Sequence, residues 1–527
     1  MYRMHQKTFY YRHLLSPLIT LALVTITLAG SLSGQSLVVY PAPQGSPGND
    51  DFTVKVRRPG EPWQDLYSYG VKVDQVIEAR HTPQNSSMAY FDFSGTVDVE
   101  VTWNKGDLHA VRIRPLSYDI QPVIKGNTIR FSLSQPRNLS IEVNGEIFHN
   151  LQLFASPVET DRPSANDPHT IYYGPGMHEA GTVIVPGGTT VYIAGGAMVD
   201  GQFLISHVEN VRIIGRGILY QSGKRPATAQ PPTAQAATSP TPGGKTGNSN
   251  RHDDLLVEFS KNVEINGIIV LPVTYTVLMG NSQQVTIRNL KSFSAGGNND
   301  GIDVFCSRDV LIDNVFMRNS DDNIAIYGHR WGYYGNTANI TVSNSTLWAD
   351  VAHPVLIGTH GDPPHPDTLE DLKFINIDIL DQSEAQINYQ GCLSINVGDA
   401  NLARNIRFEN IRVEDIRLGQ LVNLRVMYNR KYNTAPGGGI ENVWFKNLSY
   451  EGSHANLSVI AGYDSSRSIR NLTFEALTIN GRLIWDKMPG KPGWYETADF
   501  AHMFVGEHVE GLRFIRSSPE QSEPEKK

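Results

Sequence analysis

Along the C-terminal two thirds of this 527-residue chain one short pattern keeps returning: a polar residue, usually Asn or Asp, followed by apolar and polar positions in alternation. It stands at Asn210-Val211-Arg212-Ile213, Asn262-Val263-Glu264-Ile265, Gln284-Val285-Thr286-Ile287, Asp309-Val310-Leu311-Ile312 and Asn339-Ile340-Thr341-Val342. It returns at Asp371-Leu372-Lys373-Phe374, Asn405-Ile406-Arg407-Phe408, Asn442-Val443-Trp444-Phe445, Asn471-Leu472-Thr473-Phe474 and Gly511-Leu512-Arg513-Phe514. From the second copy on, the starts lie 22 to 40 residues apart. Self-similarity at such a period marks a solenoid, and alternation of period two marks strands with one buried face. No long 3.6-residue period accompanies it, which disfavours helical repeats. The pattern predicts an all-β protein built on a right-handed parallel β-helix.

A second set of asparagines, Asn289, Asn314, Asn344, Asn376, Asn410 and Asn447, falls five residues into the pattern. Stacked coils would bring these to one corner, where Asn tolerates left-handed backbone and its amide can bond the next coil. Residues 37–165 read differently. Short alternating segments such as Val97-Asp98-Val99-Glu100-Val101, Ala110-Val111-Arg112-Ile113 and Leu139-Ser140-Ile141-Glu142-Val143, broken by Pro and Gly, predict an N-terminal β-sandwich. The solenoid is expected over 166–516, interrupted at 222–250 by a Pro-, Ala- and Thr-rich stretch that reads as a mobile loop, and 517–527 reads as a disordered tail.

Composition narrows the function. The net charge is −8, from 53 acidic and 45 basic side chains, and no long basic run offers a footprint for nucleic acid. Residues 1–35 carry Arg3, Lys7 and Arg12, an apolar run from Leu14 to Ala29 and a small, polar end, the pattern of a secretory signal peptide. The run is shorter than the roughly 20 residues of a membrane span. No cysteine follows it for lipid attachment, so a secreted or periplasmic protein without stable membrane insertion is expected. Cys306 and Cys392 are the only cysteines, too few for a disulfide scaffold or a multi-cysteine zinc site, and read as buried residues.

Two acidic clusters carry the candidate chemistry: Asn299-Asp300-Gly301-Ile302-Asp303 and Ser320-Asp321-Asp322-Asn323, with Asp300 and Asp321 separated by 21 residues. That is close to one coil, so the carboxylates would lie on neighbouring strands roughly 4.8 Å apart. Acids facing one groove suit glycosidic-bond hydrolysis. Adjacent residues of a regular strand point to opposite faces, so Asp321 and Asp322 share the groove only if the chain kinks at Ser320-Asp321-Asp322.

Asn299-Asp300-Gly301, Asp321-Asp322 and His353-Pro354-Val355-Leu356-Ile357-Gly358-Thr359 resemble, in order and spacing, three successive motifs of the polygalacturonases, glycoside hydrolase family 28. The resemblance covers roughly residues 170 to 480. It implies a pectin-lyase-like β-helix and an inverting hydrolase with Asp321 as general acid, Asp300 and Asp322 sharing the base role, and His353 orienting or tuning the acid. Asp303 matches a supporting residue and stays outside the catalytic set. The family's uronate-binding motif, Arg-Ile-Lys, has its best counterpart in Arg425-Val426-Met427, which lacks the lysine. The sandwich ahead of the solenoid resembles instead the dextranases and isopullulanases of family 49, which belong to the same clan and act on neutral α-glucans. A pectic and a neutral-glucan substrate therefore both stand.

In an inverting site one carboxylic acid protonates the leaving oxygen and another carboxylate activates water, about 6.5–9.5 Å away. Neighbouring like charges would help keep Asp321 protonated. Around the acids, His329, Trp331 and Tyr334 form a candidate subsite wall, Arg425 a candidate for a sugar hydroxyl or acidic group, and Asn299 and His360 complete the substrate-binding set. The proline-rich loop after His360 suits a rigid turn, and neither metal nor cofactor is expected. Two other classes compete: a β-helical polysaccharide lyase, which would release unsaturated products, and a non-catalytic carbohydrate-binding solenoid, for which Asp321→Asn would change nothing.

Overall fold

Alternating segments become strands throughout the residues that the structure, a computed structural model, describes: 36–222, 253–453 and 455–517. Residues 1–35, read above as a signal peptide, all of the 222–250 stretch beyond Ser222, and the tail beyond Ser517 lie outside the described residues.

The first part is a two-sheet sandwich. An antiparallel five-stranded sheet (in order Gln64–Leu66, Phe52–Arg57, Val97–Trp103, Thr128–Leu133, Val123–Lys125) faces a six-stranded one that includes Tyr69–Ile77, Arg80–Ser94, Arg137–Val143 and Glu146–Pro157. Their inward positions, among them Val54, Val99 and Val101 against Phe91, Ile141 and Leu153, form one apolar core. The strands of the sandwich end at Pro157, and those of the solenoid begin at Thr170.

From there 31 strands join one continuous, almost wholly parallel sheet coiled into a right-handed β-helix. Each coil contributes to three rows. The first row carries the repeat copies: Val263, Val285, Val310, Ile340, Leu372, Ile406, Val443 and Leu472 lie in register on successive coils. Inside it Phe374, Phe408, Phe445, Phe474 and Phe514 stack with ring centroids 4.7 to 5.1 Å apart. The six corner asparagines all hold positive φ, between 51° and 57°, and pass amide bonds between coils, as from Asn447 to Asn410 at 2.8 Å. The opening residues of the copies, Asn262, Asp309 and Asn405 among them, are left-handed too, which explains why Asn and Asp recur there. Cys306 and Cys392 are buried free thiols.

The second row (for example Lys291–Phe293, Phe316–Asn319 and Thr346–Ala349) is covered by the sandwich: Tyr69, Val71, Val73, Phe148 and Phe154 pack with Phe293, Phe316 and Trp348. The third row (Ile302–Phe305, Ile324–Tyr327, Val355–Gly358, Leu393–Val397 and Val422–Val426) lies on the uncovered side. No helix among the described residues is long and apolar enough to cross a membrane.

Candidate active site

The acids sit at the corner between the second and third rows. Ile302, Ile324 and Val355 are register partners on successive coils, so the positions two residues upstream, Asp300, Asp322 and His353, come one above another. Backbone bonds hold this corner: Gly301 N donates to Asp322 O at 2.7 Å, Ile302 N to Asn323 O at 2.9 Å and Asn323 N to His353 O at 2.8 Å. Only glycine fits at 301, because a Cβ there would lie 2.2 Å from Asn323 O.

Asp321 is the extra residue of this corner. The strand Phe316–Asn319 stops, 320–323 bend, and the next strand starts at Ile324, so the expected kink is present. Asn319 Nδ2 donates to Ser292 Oγ and Ser294 Oγ at 3.1 and 3.0 Å, and Ser320 Oγ donates to Gly296 O, which pins the bend. As a result one oxygen each of Asp300, Asp321 and Asp322 lies within 4.8 Å of the others. Three oxygens at such spacing would also suit a hard cation.

Burial first, then the charge of Asp322, pushes Asp321 up to about 7, although His353 and the Asn298 N–H, 3.1 Å from Oδ2, oppose the shift. Burial and the neighbours Asp303, Asp321 and Asp322 push Asp300 well above the usual carboxylate range, against the pull of Arg330. Asp322 has the donors: His353 Nδ1 at 2.6 Å, His353 N at 3.2 Å and Tyr327 Oη at 3.2 Å. Burial works against the charge on His353, but Asp322 holds the imidazolium up to about 9, and Nε2 donates to Tyr389 O. His353 was expected to orient or tune the acid; its carboxylate hydrogen bond is to Asp322, and on Asp321 it acts through its charge, which lowers that group.

The flanks differ. On the side of the earlier coils, Phe305 stacks on Tyr327 at 5.5 Å and meets Trp331 edge-on at 5.4 Å, and Trp331 also meets Tyr275. Trp331 is 38% exposed and holds φ 52°, a strained setting for a bulky side chain. The His360 ring meets Tyr327 edge-on, and burial with Arg330 lowers it to about 3. On the side of the later coils, Tyr389 meets the His353 ring edge-on at 4.8 Å and stacks on Tyr432 at 4.5 Å. There Arg425 donates to Asn388 O at 2.9 Å and Lys431 to Gln386 Oε1 at 2.6 Å.

Other candidate residues fall outside this ring. His329 and Tyr334 stack on one another at 4.0 Å, with Asp367, Tyr333 and Asn281 as hydrogen-bond partners, and so form the outer flank of their loop, away from the acids. Asn299 turns its amide nitrogen to Ala295 O at 2.7 Å, a brace within the acid-bearing loop. Sequence reasoning missed Tyr327, Tyr389, Tyr432, Lys431 and the buried Glu384, which adds negative field at Asp321 and His353. Tyr327 alone left a signal, lying in register with Phe305 one coil from it.

A parallel β-helix with carboxyls gathered at one corner of successive coils defines a β-helical carbohydrate-active protein. Residues 174–487 match the model of glycosyl hydrolases family 28, and the chain belongs to that family. It is 26% identical over 226 residues to endopolygalacturonase B of Aspergillus niger, a match covering 42% of this chain and 55% of that protein. The chain thus spans about half the length of the curated relatives it matches. Among solved structures it is similar to Dex49A from Penicillium minioluteum (TM-score 0.53, 14% identity, 89% of this chain and 96% of that one). It is also similar to the family 28 exopolygalacturonase of Yersinia enterocolitica (TM-score 0.44, 12% identity, 81% and 98%).

Proposed function

We propose that the protein hydrolyses α-glycosidic bonds of a polysaccharide outside the cytoplasm, with Asp321 as general acid and Asp322, assisted by Asp300, as the base that activates water. The observation that carries this reading is the meeting of three carboxyls within 4.8 Å, one of which is bonded to His353. An acid must hold its proton at working pH and a base must not. Asp321, lifted to about 7, meets the first need, and the base role falls to Asp322, which accepts from His353 Nδ1 at 2.6 Å. Asp300, which burial and its acidic neighbours push well above the usual carboxylate range, assists by hydrogen-bonding the attacking water, whose proton goes to Asp322. Export rests on the signal-peptide pattern of residues 1–35.

Inversion follows from the family resemblance. The nearest oxygens are closer than the roughly 6.5–9.5 Å usual between acid and base in inverting sites, so the anomer first released, read by proton NMR, decides this point.

An acidic glycan is the first substrate class. Arg330, Arg425 and Lys431 flank the acids, and among the described residues none of them is paired with a carboxylate. A neutral α-glucan is the second, favoured by Met427, which stands buried in an apolar cluster where the uronate-binding motif would place its lysine. New reducing ends released from polygalacturonate, rhamnogalacturonan, dextran or pullulan, and absent with Asp321→Asn, test the hydrolase reading. Ultraviolet-absorbing products would mark a lyase, and unchanged behaviour of Asp321→Asn a binding protein.

A further inference from the structure

The sandwich reaches the catalytic corner through one hairpin. Strands Tyr69–Ile77 and Arg80–Ser94 are joined by a two-residue turn, Glu78-Ala79, both with positive φ (49° and 60°), the geometry of a tight hairpin. Its base is fixed. Tyr69, Val71 and Val73 pack with Phe293 and Phe316, and Asp74 N donates to Asp350 Oδ2 at 3.3 Å. Asp350 in turn accepts from Arg318 Nε at 2.9 Å. The hairpin end stands clear, with Val76 and Ile77 exposed.

On this end His81 is oriented by a buried group. Its Nδ1 hydrogen-bonds with the fully buried carboxylate of Asp74, and since a carboxylate only accepts, Nδ1 is the donor. Nε2 is then left open, and among the described residues it has no hydrogen-bond partner. It lies over the acid-bearing loop: a Cβ built on Gly297 would sit 3.4 Å from it. The next residue, Asn298, donates its N–H to Asp321 Oδ2 at 3.1 Å. One loop residue therefore separates His81 from the donor to the proposed acid, and the imidazole is 41% exposed at that rim.

We propose that the sandwich supplies a substrate-binding residue to the cleft: His81, held by Asp74, hydrogen-bonds a hydroxyl of a sugar residue bound alongside Asp321. A ring fixed through one nitrogen and open at the other pays little conformational entropy on binding, as a support-shell carboxylate does for a metal-binding histidine. The sandwich is then part of the substrate site, and its hairpin end forms the wall of the cleft beside the covered row. This inference rests on the hydrolase reading of the acids.

The test compares the full chain with His81→Ala and His81→Gln, by kcat and KM on whichever of polygalacturonate, rhamnogalacturonan, dextran and pullulan the unmodified protein cleaves. Affinity for the same polymers is measured in the Asp321→Asn background, with and without His81→Ala. The expected result is a rise of KM and Kd by about five- to tenfold in His81→Ala, with kcat within about twofold and partial recovery in His81→Gln. The double variant Asp74→Asn, His81→Ala removes the buried charge together with its partner and carries the test if the single variant fails to fold. Unchanged KM and Kd overturn the inference while leaving the hydrolase reading intact, as does a loss of kcat that follows the melting temperature. If the unmodified protein cleaves nothing, the hydrolase reading fails and its polymer affinity decides the matter alone: weaker binding by His81→Ala sustains a role for His81, and binding to none overturns both.

Discussion

The covered and the open faces of this solenoid are built from the same alternating strands, yet they treat charge in opposite ways. Beneath the sandwich, Arg114 meets Glu142 and Glu414 at 2.9 and 2.7 Å, Arg216 meets Asp92 at 3.0 Å, and Arg318 meets Asp350 at 2.9 Å while its guanidinium lies 3.7 Å from the Trp348 ring centroid. Among the described residues Lys291 has no carboxylate partner; burial pushes its amine well below the usual range, and it donates to Asn289 O and Oδ1 and to Ser156 Oγ. On the open face the cations Arg425 and Lys431 bond neutral oxygens, and carboxyls crowd one another. Charge that is matched holds the two parts of the molecule together. Charge left unmatched lies where a substrate would be bound and cleaved.

The largest expected effect is at the crowded acids. Asp321→Asn keeps size and shape but cannot donate the proton, and kcat is expected to fall about 10²- to 10⁴-fold with the melting temperature unchanged or raised. A rise is the natural sign, because the replacement removes a carboxyl whose ionisation the folded state resists. Next comes the covered face. Arg318→Met leaves Asp350 buried beside only Arg417 and the Asp74 N–H, and is expected to cost about 3–5 kcal/mol in denaturant unfolding. Specific activity per folded molecule should hold. A loss of activity from Arg318→Met with no loss of stability would erase the distinction between the two faces.

A smaller effect comes from pH. Asp321 moves from an ordinary value near 3.8 up to about 7, so the activity it supports is present below pH 7 and falls about tenfold per pH unit above it. The same shift affects stability: a raised carboxyl favours the folded state below about 4, and that advantage is lost as pH rises through about 7. His353, raised from 6.5 to about 9, adds a contribution present below about 6.5 and lost through about 9. The imidazolium lowers Asp321, so His353→Gln should move the alkaline limb of the rate profile upward while reducing kcat. A downward movement would mean that Asp321 is not the group titrating there.

Smaller again is the cationic flank. Arg425→Gln should raise KM for polygalacturonate by about tenfold, the order of one charge-assisted hydrogen bond, and leave the melting temperature in place. If a neutral glucan is the substrate, the same variant should alter KM little, so this one measurement separates the two substrate classes.

The repeat was legible because each coil spends the same alternation on the same interior, and Asp300, Asp321, Asp322 and His353 were legible because their spacings follow the coil. Less could be read where contact depends on what lies outside a coil. Arg318 occupies an outward position of its strand and reads as a surface residue; it is buried because the sandwich lies on that row. Tyr389 and Lys431 come from later coils across loops of unequal length, which no period reports, and Arg425 was legible only through its likeness to the family's uronate-binding motif. The pairing of His353 with Asp322 instead of Asp321 follows from register, Ile324 with Val355, and a motif carries no register. His81 comes from another sheet altogether.

The smallest expected effect tests the part of the molecule that both faces share, the corner ladder. Asn410 holds φ 56° and accepts from Asn447 Nδ2 at 2.8 Å. Asn410→Gly keeps the left-handed backbone at little steric cost and removes the ladder bond, so it should cost about 0.5–1 kcal/mol. Asn410→Ala loses the same bond and adds the strain of a Cβ in that region, about 1 kcal/mol more. Neither should change kcat or KM, because this corner lies away from the one that holds the acids. If Gly and Ala cost the same in urea unfolding, left-handed strain is not what selects Asn at the corners, and the amide ladder alone explains the repeat. If Gly costs nothing, the ladder bonds between exposed amides merely replace bonds to water, and backbone geometry is the reason for the asparagines.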